Sequence, residues 1–195
     1  MLATFRSPKR HLVSVAAATV LASAALGVMT ATAQTPTPRG GVVHVFDYGD
    51  GEGVGSTVVL TGAIADSGSA DSIDANGTPD PSNNTEVRLS LVRGTFDISV
   101  VGLDKKISAA FNKFSPNTDT CSGNVSVIGG APIVAGSGTG AYTGISGGFT
   151  LGFTFAAIFP KYASGPHKGQ CNFSNSAEPV GQAQIVQGSG TVSFS

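Results

Sequence analysis

The feature that most constrains the fold is a two-residue alternation of side chains along several short segments. It is clearest in FTLGFTFAAIF, residues 149–159, where the odd-numbered positions carry Phe, Leu and Ala and the even-numbered positions are mostly Thr, Gly and Ala. Successive side chains of a β-strand point to opposite faces, so this pattern predicts a strand with one buried face. Similar strand-like runs occupy residues 42–48, 57–65, 86–92, 95–101, 124–128 and 182–194. Together they predict an all-β fold, an antiparallel barrel of about eight strands, with a β-sandwich as the alternative.

One segment fits two structures. Leu103, Ile107, Phe111 and Phe114 are spaced for one face of a helix, but they could equally line two short strand pieces. We expect a helical turn at 103–106, followed by strand or irregular structure over 107–112.

The N-terminus has the pattern of a secretory signal peptide. Arg6, Lys9 and Arg10 precede an uncharged run over residues 12–29, and Ala31-Thr32-Ala33 supplies a small-residue cleavage site. A retained membrane anchor is the alternative, because the run is nearly long enough to span a bilayer. With cleavage, we expect a secreted or cell-envelope protein that has no stable membrane span. The predicted organisation is a signal peptide at 1–33, a flexible lead at 34–41 and a single β-barrel domain at 42–195.

Charge and cysteine content narrow the function further. After residue 33 the chain carries 8 basic and 12 acidic residues and has no basic run, which argues against a nucleic-acid partner. In an exported protein the pair Cys121 and Cys171 predicts a disulfide. Closing that loop would stabilise the fold by about 4 kcal/mol in the chain-entropy model. A metal site or catalytic thiol would need nearby histidines, and only His44 and His167 follow the signal segment.

The glycine-rich stretch GSGTGAYTGISGG, residues 136–148, is a candidate phosphate loop. A dinucleotide loop needs a third glycine where this chain has Ala141, and it needs a helix where this chain predicts a strand. We therefore expect a strand and turn that help to build the barrel, in which Gly140, Tyr142 and Gly144 share one face.

The same stretch also matches the nucleophile-elbow pattern G-x-S-x-G at residues 144–148, around Ser146. An elbow requires a following helix and an acid that precedes a histidine in the chain. Here a strand is predicted to follow, and His167 precedes Glu178. The pattern therefore does not predict a serine hydrolase.

Two acidic stretches raise the question of a metal. In residues 66–84, a calcium-loop alignment puts Ser72 at the first ligand position and Asn83 where a bidentate Glu belongs. We expect a solvated Asn/Asp/Gly/Pro loop there. The stretch DYGDGEG, which begins at Asp47, is predicted to be a solvated hairpin tip. No metal and no cofactor is expected.

Charged residues on the predicted strands are the remaining site candidates. Glu86, Arg88 and Asp97 each lie opposite an apolar row. On the outside of a barrel such charges are ordinary, whereas a desolvated carboxyl in the lumen has a raised pKa that suits acid–base chemistry. The candidates are Asp97 and Glu86 for catalysis, and Arg88 and Tyr142 for ligand binding.

Three segments carry a family resemblance: RGTFDIS at 93–99, TDTCSGNVSVIGG at 118–130 and GSGTGAYTGISGGFTL at 136–151. Together they resemble the allene oxide cyclase and dirigent superfamily, particularly its bacterial secreted members. There a G-x-G-x-Y/F-x-G-x-x-G segment precedes a long strand of an eight-stranded antiparallel barrel. Plant members steer the coupling or cyclisation of small apolar or phenolic intermediates. The resemblance implies an apolar cavity as a ligand site, and it carries no catalytic residue over to this chain.

These observations leave three functions open. The leading expectation is an exported barrel that binds a small apolar ligand or serves a structural role in the envelope. The second is an isomerase or cyclase that uses a lumenal carboxylate on an apolar substrate. The third is a surface interaction module, which would show an exposed apolar patch.

Overall fold

One antiparallel sheet of eight strands makes up most of the domain. The computed structural model describes residues 38–49, 55–80, 84–174 and 176–195. The strands lie in the order β5-β4-β3-β2-β1-β8-β7-β6, and the sheet curls into a barrel-like shape. The strands are β1 (Gly41–Gly49), β2 (Ser56–Gly62), β3 (Asp66–Ile73), β4 (Glu86–Leu91), β5 (Gly94–Ser99), β6 (Ser122–Pro132), β7 (Ile145–Ile158) and β8 (Gly181–Phe194); helix α1 spans Val101–Phe111 and a short 3-10 helix spans Gly140–Tyr142.

The all-β prediction is confirmed, and the sandwich alternative is set aside because the strands form a single sheet. One predicted loop is wrong. Residues 66–73 form β3, which pairs with β2 on one side and β4 on the other. Their Ser- and Asp-rich composition does not predict a strand. The segment is extended because it is hydrogen-bonded to β2 on one side and to β4 on the other.

The predicted signal peptide at 1–33 and half of the predicted lead lie outside the described residues. The last residue of that lead, Gly41, already belongs to β1. In the part of the chain that the structure describes, no helix is both long and apolar enough to cross a membrane.

Residues 101–111 form α1, so the expectation of strand or irregular structure over 107–112 is wrong. The helix packs against β6 at Gly129, where an added Cβ would lie 2.9 Å from Cδ1 of Leu103. Leu103 is buried, and Ile107 packs partly against the core. The apolar residues therefore share one face of a helix, as their spacing suggested. Gly129 on the facing strand lets the helix come close enough for this face to pack against the sheet.

One end of the barrel, which we call the closed end, is filled by large side chains that point inward from several strands. Val43, Leu60, Phe96 and Phe149 are buried there, and they share one cluster with the side chain of Tyr142. The rings of Phe96 and Tyr142 meet edge to face, with centroids 5.4 Å apart. Filling this end fixes the spacing of the strands around it.

The two edge strands, β5 and β6, do not form a ladder with each other. Ile133, just after β6, makes an isolated antiparallel bridge to Ile98 on β5. The chain from 134 to 142, which we call the closing segment, then runs along the open edge of β5. It makes three backbone hydrogen bonds of 2.9 Å each: Val134 N to Asp97 O, Thr139 N to Thr95 O, and Ala141 N to Arg93 O. Irregular backbone therefore closes the sheet at this point.

The glycine-rich stretch lies in this closure. The expectation that Gly140, Tyr142 and Gly144 share one face of an extended strand is wrong, because residues 140–142 form the 3-10 helix and β7 begins only at Ile145. That turn sends the Tyr142 side chain into the core, where it is 0% exposed. Gly140 has φ +57°, and an added Cβ would lie 2.5 Å from the Arg93 carbonyl oxygen.

A disulfide joins Cys121, beside the start of β6, to Cys171 in the long connection between β7 and β8. Their Cα atoms are 5.2 Å apart. The same connection packs Phe173 edge-on against Phe159, with ring centroids 5.2 Å apart. The bond therefore fixes the middle of this connection to the sheet.

We expect Gly140→Val to lower the free energy of unfolding by at least about 2 kcal/mol, because it combines an unfavourable φ with a backbone clash. Gly136→Val is the matched control: Gly136 has φ +77° but no atom within 4 Å of an added Cβ, so only the φ cost of about 1 kcal/mol applies. Ser146→Ala should change stability by less than about 0.5 kcal/mol. Urea denaturation of the three variants measures these differences, and equal losses for the two valine variants would contradict the role given to Gly140.

Candidate functional site

A cavity of about 300 Å³ lies between the filled end of the barrel and α1. Volumes of this order accommodate small organic ligands. Its walls are mostly aliphatic: Val45, Val58, Ala70, Val87, Leu89, Ile98, Val100, Leu103, Ile107, Leu151, Phe153 and Val186. Its polar lining residues are Asp47, Ser56, Ser72, Asn84, Asp104 and Gln184.

Asp47 places a carboxyl group in this apolar wall. On β1 the side chains of Val43, Val45 and Asp47 point inward while those between them point to solvent. Asp47 is only 6% exposed. The interpretation of residues 47–53 as a solvated hairpin tip is therefore wrong for Asp47, which lies at the cavity end of an inward row.

One hydrogen bond links Asp47 to the neighbouring strand. The hydroxyl of Ser56 on β2 lies 2.6 Å from Oδ2 of Asp47 and 3.2 Å from the carbonyl oxygen of Ala70 on β3. Burial raises the pKa of Asp47, and the hydrogen bond from Ser56 offsets only part of that rise. The carboxyl group is thus held in place while its charged form is disfavoured.

A second carboxyl group enters the cavity from α1. Asp104 lies in the first turn of the helix and lines the cavity together with Leu103 and Ile107 of the same helix. Burial raises its pKa as well. Lys106, from the same helix, donates a hydrogen bond of 2.8 Å to the carbonyl oxygen of Ile128 on β6. Its ammonium group therefore has a partner on the sheet.

The polar lining is concentrated on one side of the cavity. Gln184, Asp47, Ser56 and Ser72 come from β8, β1, β2 and β3, which are consecutive in the sheet, and Asn84 precedes β4. We call these five residues the polar arc. The lining residues from β4, β5, α1 and β7 are apolar apart from Asp104. The cavity is therefore amphipathic.

Asp97 and Arg88, two of the site candidates from the sequence, lie on the face of the sheet opposite to the cavity. Nε and Nη2 of Arg88 donate to the two oxygens of Asp97, each at 2.9 Å. The backbone N–H of Asp97 donates a hydrogen bond of 2.9 Å to Oγ of Ser137 in the closing segment. Asp97 is only 6% exposed because the closing segment covers it, not because it lies in the cavity. The third candidate, Glu86, alternates with the cavity-lining Val87 and does not line the cavity.

Tyr142, the fourth candidate, is engaged by charged groups at the closed end. Its hydroxyl donates to Oδ2 of Asp66 on β3, and Nε of Arg93 donates to the same oxygen at 3.2 Å. Burial, reinforced by Asp66, raises the pKa of Tyr142 well above its usual value. Burial alone would raise the pKa of Asp66, but hydrogen bonds from Tyr142, Ser67 and Arg93 together lower it. These groups lock the closing segment to β3 and do not line the cavity.

The residues of the calcium-loop alignment are divided between β3 and the turn that follows it. Oδ1 of Asp74 accepts hydrogen bonds from the N–H groups of Asn76 and Thr78, each at 2.9 Å. Ser72, which the alignment placed at the first ligand position, lies on β3 and lines the cavity. Among the described residues there is no group of three or more His, Cys, Asp or Glu side chains placed to hold a metal ion. Asn83 lies outside the described residues.

An exposed apolar row crosses the outer face of the sheet. Phe46 on β1 lies directly opposite Val59 on β2. On its other side it neighbours Gln187, which is followed across the sheet by Gly152 and then Ile128. Phe46, Val59 and Ile128 are all exposed. A surface interaction function, one of the three expectations from the sequence, would use this row.

Sequence reasoning missed Asp47 and Asp104. A usable signal exists for Asp47, because residues 43, 45 and 47 fall on one face of the first predicted strand and the third of them is an acid. For Asp104 the equivalent signal is its position beside Leu103, at the start of an apolar face with helical spacing. In both cases an acid interrupts a row that is otherwise buried.

We expect Tyr142→Phe to lower the free energy of unfolding at pH 7 by about 1.5–3 kcal/mol, because a hydrogen bond to a charged partner is lost. The lowered pKa of Asp66 means that its contribution is present above its ordinary pKa of about 3.9 and is lost as pH falls through the folded value. Without Tyr142 the folded pKa of Asp66 rises, so the acid loss of stability should begin at a higher pH. Denaturation from pH 7 to pH 3 tests this, with the exposed Tyr48→Phe as the matched control. Equal stabilities of the two variants would contradict it.

Comparison with known proteins gives no guide to the site. No protein-family model, no curated protein and no solved structure matches this chain.

Proposed function

We propose that this protein binds a small, largely apolar molecule inside the barrel, as an exported binding protein. The observation that carries the proposal is the amphipathic cavity of about 300 Å³, with aliphatic walls and the buried Asp47 carboxyl group. Protein interiors are normally close-packed, so an unfilled cavity of this size with largely aliphatic walls leaves room for a ligand. An apolar molecule bound there would bury its surface against those walls.

Two further observations support the proposal. The disulfide between Cys121 and Cys171 fits an oxidising compartment, as export by the predicted signal peptide would require. The resemblance to allene oxide cyclase and dirigent proteins implies a ligand inside the barrel, and we include distant membership of that superfamily in the proposal.

Filling the cavity from its wall tests the binding function. Ala70 on β3 lines the cavity, and Ala70→Phe would occupy part of it. We expect the wild-type protein to bind octan-1-ol in calorimetric titration and the variant to bind it at least tenfold more weakly. Thr57→Leu, on the outer face of the neighbouring strand, is the matched control and should leave the affinity unchanged. Equal affinities for Ala70→Phe and wild type would refute binding in this cavity.

A second function, acid–base catalysis on an apolar substrate, is favoured by the contacts of Ser56. When Asp47 is ionised, the Ser56 hydroxyl donates to it at 2.6 Å. When Asp47 is protonated, it can donate to Ser56 Oγ, whose proton then turns to the carbonyl oxygen of Ala70 at 3.2 Å. Both protonation states of Asp47 are thus hydrogen-bonded, as an acid–base group requires.

Proton exchange measures this second function directly. If Asp47 acts as a base, the protein should speed C–H/C–D exchange of a cyclic ketone such as cyclohexanone in D₂O, as followed by NMR. Asp47→Asn should reduce that rate by about 100-fold or more, whereas Glu86→Gln, on the opposite face of the sheet, should not change it. A wild-type rate equal to that of buffer would remove the catalytic function and leave the binding function intact.

A further inference from the structure

We propose that the barrel cavity selects small organic cations, apolar molecules that carry a protonated amine, over neutral alcohols and over fatty acids. The inference rests on the proposed binding function and names the chemical class of its ligand. Three features of the described residues support it: the electrostatic isolation of Asp47, the way the fold treats its other buried carboxylates, and the arrangement of the polar arc.

Among the described residues, Asp47 has a hydrogen-bond donor beside it but no cation. Ser56 supplies its one side-chain hydrogen bond within the described part of the chain. None of the described residues that line the cavity is a Lys, Arg or His. Removing a carboxylate from water without a counter-charge carries a large desolvation penalty. An ammonium group placed against Asp47 would supply that charge and offer up to three N–H donors.

Two other carboxylates of the described residues have buried side chains, and each of them has an arginine beside it. Asp97 is paired with Arg88 at 2.9 Å, and Asp66 is paired with Arg93 at 3.2 Å. In both pairs the counter-charge comes from an arginine of the protein itself, and neither carboxylate lines the cavity. Asp47 is as buried as Asp97, but it faces open space instead of an arginine. The missing partner of Asp47 is therefore expected to come from the ligand.

The rest of the lining favours the same class of ligand. Around Asp47 the polar arc offers hydroxyl and amide oxygens that can accept hydrogen bonds from an ammonium group. Asp104 adds a second acid from α1. A ligand carboxylate would meet two acids and no cation among these residues, which raises the cost of burying it. The hydrocarbon part would lie on the apolar wall that includes Leu103, Ile107 and Phe153.

The test uses three probes with the same hydrocarbon chain: octylamine, octan-1-ol and octanoate. Each is titrated calorimetrically into the purified protein at pH 7.5, where the amine and the acid are both charged. We expect octylamine to bind at least tenfold more tightly than octan-1-ol, and octanoate to bind more weakly than the alcohol. Asp47→Asn should bring the affinities for amine and alcohol to within about threefold of each other, leaving that for the alcohol nearly unchanged. Asp104→Asn, at the helix, should weaken amine binding by a smaller factor.

Each outcome decides between the two levels of the argument. Equal affinities of the three probes, or tightest binding of octanoate, would overturn the amine selectivity and leave the binding function in place. Binding of none of them would overturn both proposals. If well-folded Asp47→Asn still prefers the amine, another group is responsible for the preference, and the role of Asp47 is overturned. If Asp47→Asn does not fold, the wild-type order of the three probes and the effect of Asp104→Asn still decide the selectivity.

Discussion

The closure of the sheet between β5 and β6 is the contact on which the rest of the structure depends. An open sheet edge exposes unpaired N–H and C=O groups, and this sheet would have two such edges. The closing segment satisfies the edge of β5 with three backbone hydrogen bonds. Tyr142, held by Asp66, anchors that segment in the core. Without this closure the inward faces of β5 and β6 would separate, and the interior of the barrel would be open to water.

The cavity follows from the sizes of the inward side chains at the two ends of the barrel. At the closed end Phe96, Phe149 and Tyr142 fill the lumen. At the other end Ser56, Ala70 and Ser72 stand at inward positions of β2 and β3, and they are too small to reach across. Helix α1 covers this end and comes close to β6 because Gly129 has no side chain. A packed core and a cavity thus share one continuous sheet, and the difference between them is side-chain volume.

The sequence predicted the strands with a clear apolar alternation, because that pattern and the buried face have the same physical cause. It did not predict β3, whose order comes from β2 and β4 on either side of it. Nor could it assign Asp97 to a surface: alternation shows that Asp97 opposes Phe96 and Ile98, but not that the closing segment would cover it. The role of Asp47 was missed for the reverse reason. Its position in the alternation was readable, but the acidic residues that follow it suggested a solvated turn.

The buried carboxylates of this fold differ in whether an arginine lies beside them. Burying a carboxylate is unfavourable unless a cation and hydrogen bonds compensate for it. Asp66 and Asp97 receive that compensation from arginines, and both hold the closing segment or the strand beneath it. Asp47 receives a single hydroxyl group, so its buried carboxylate lacks the counter-charge that Asp66 and Asp97 have. In the proposed function, a molecule that brings positive charge into the cavity would supply that charge, and Asp47 would then contribute strongly to its affinity.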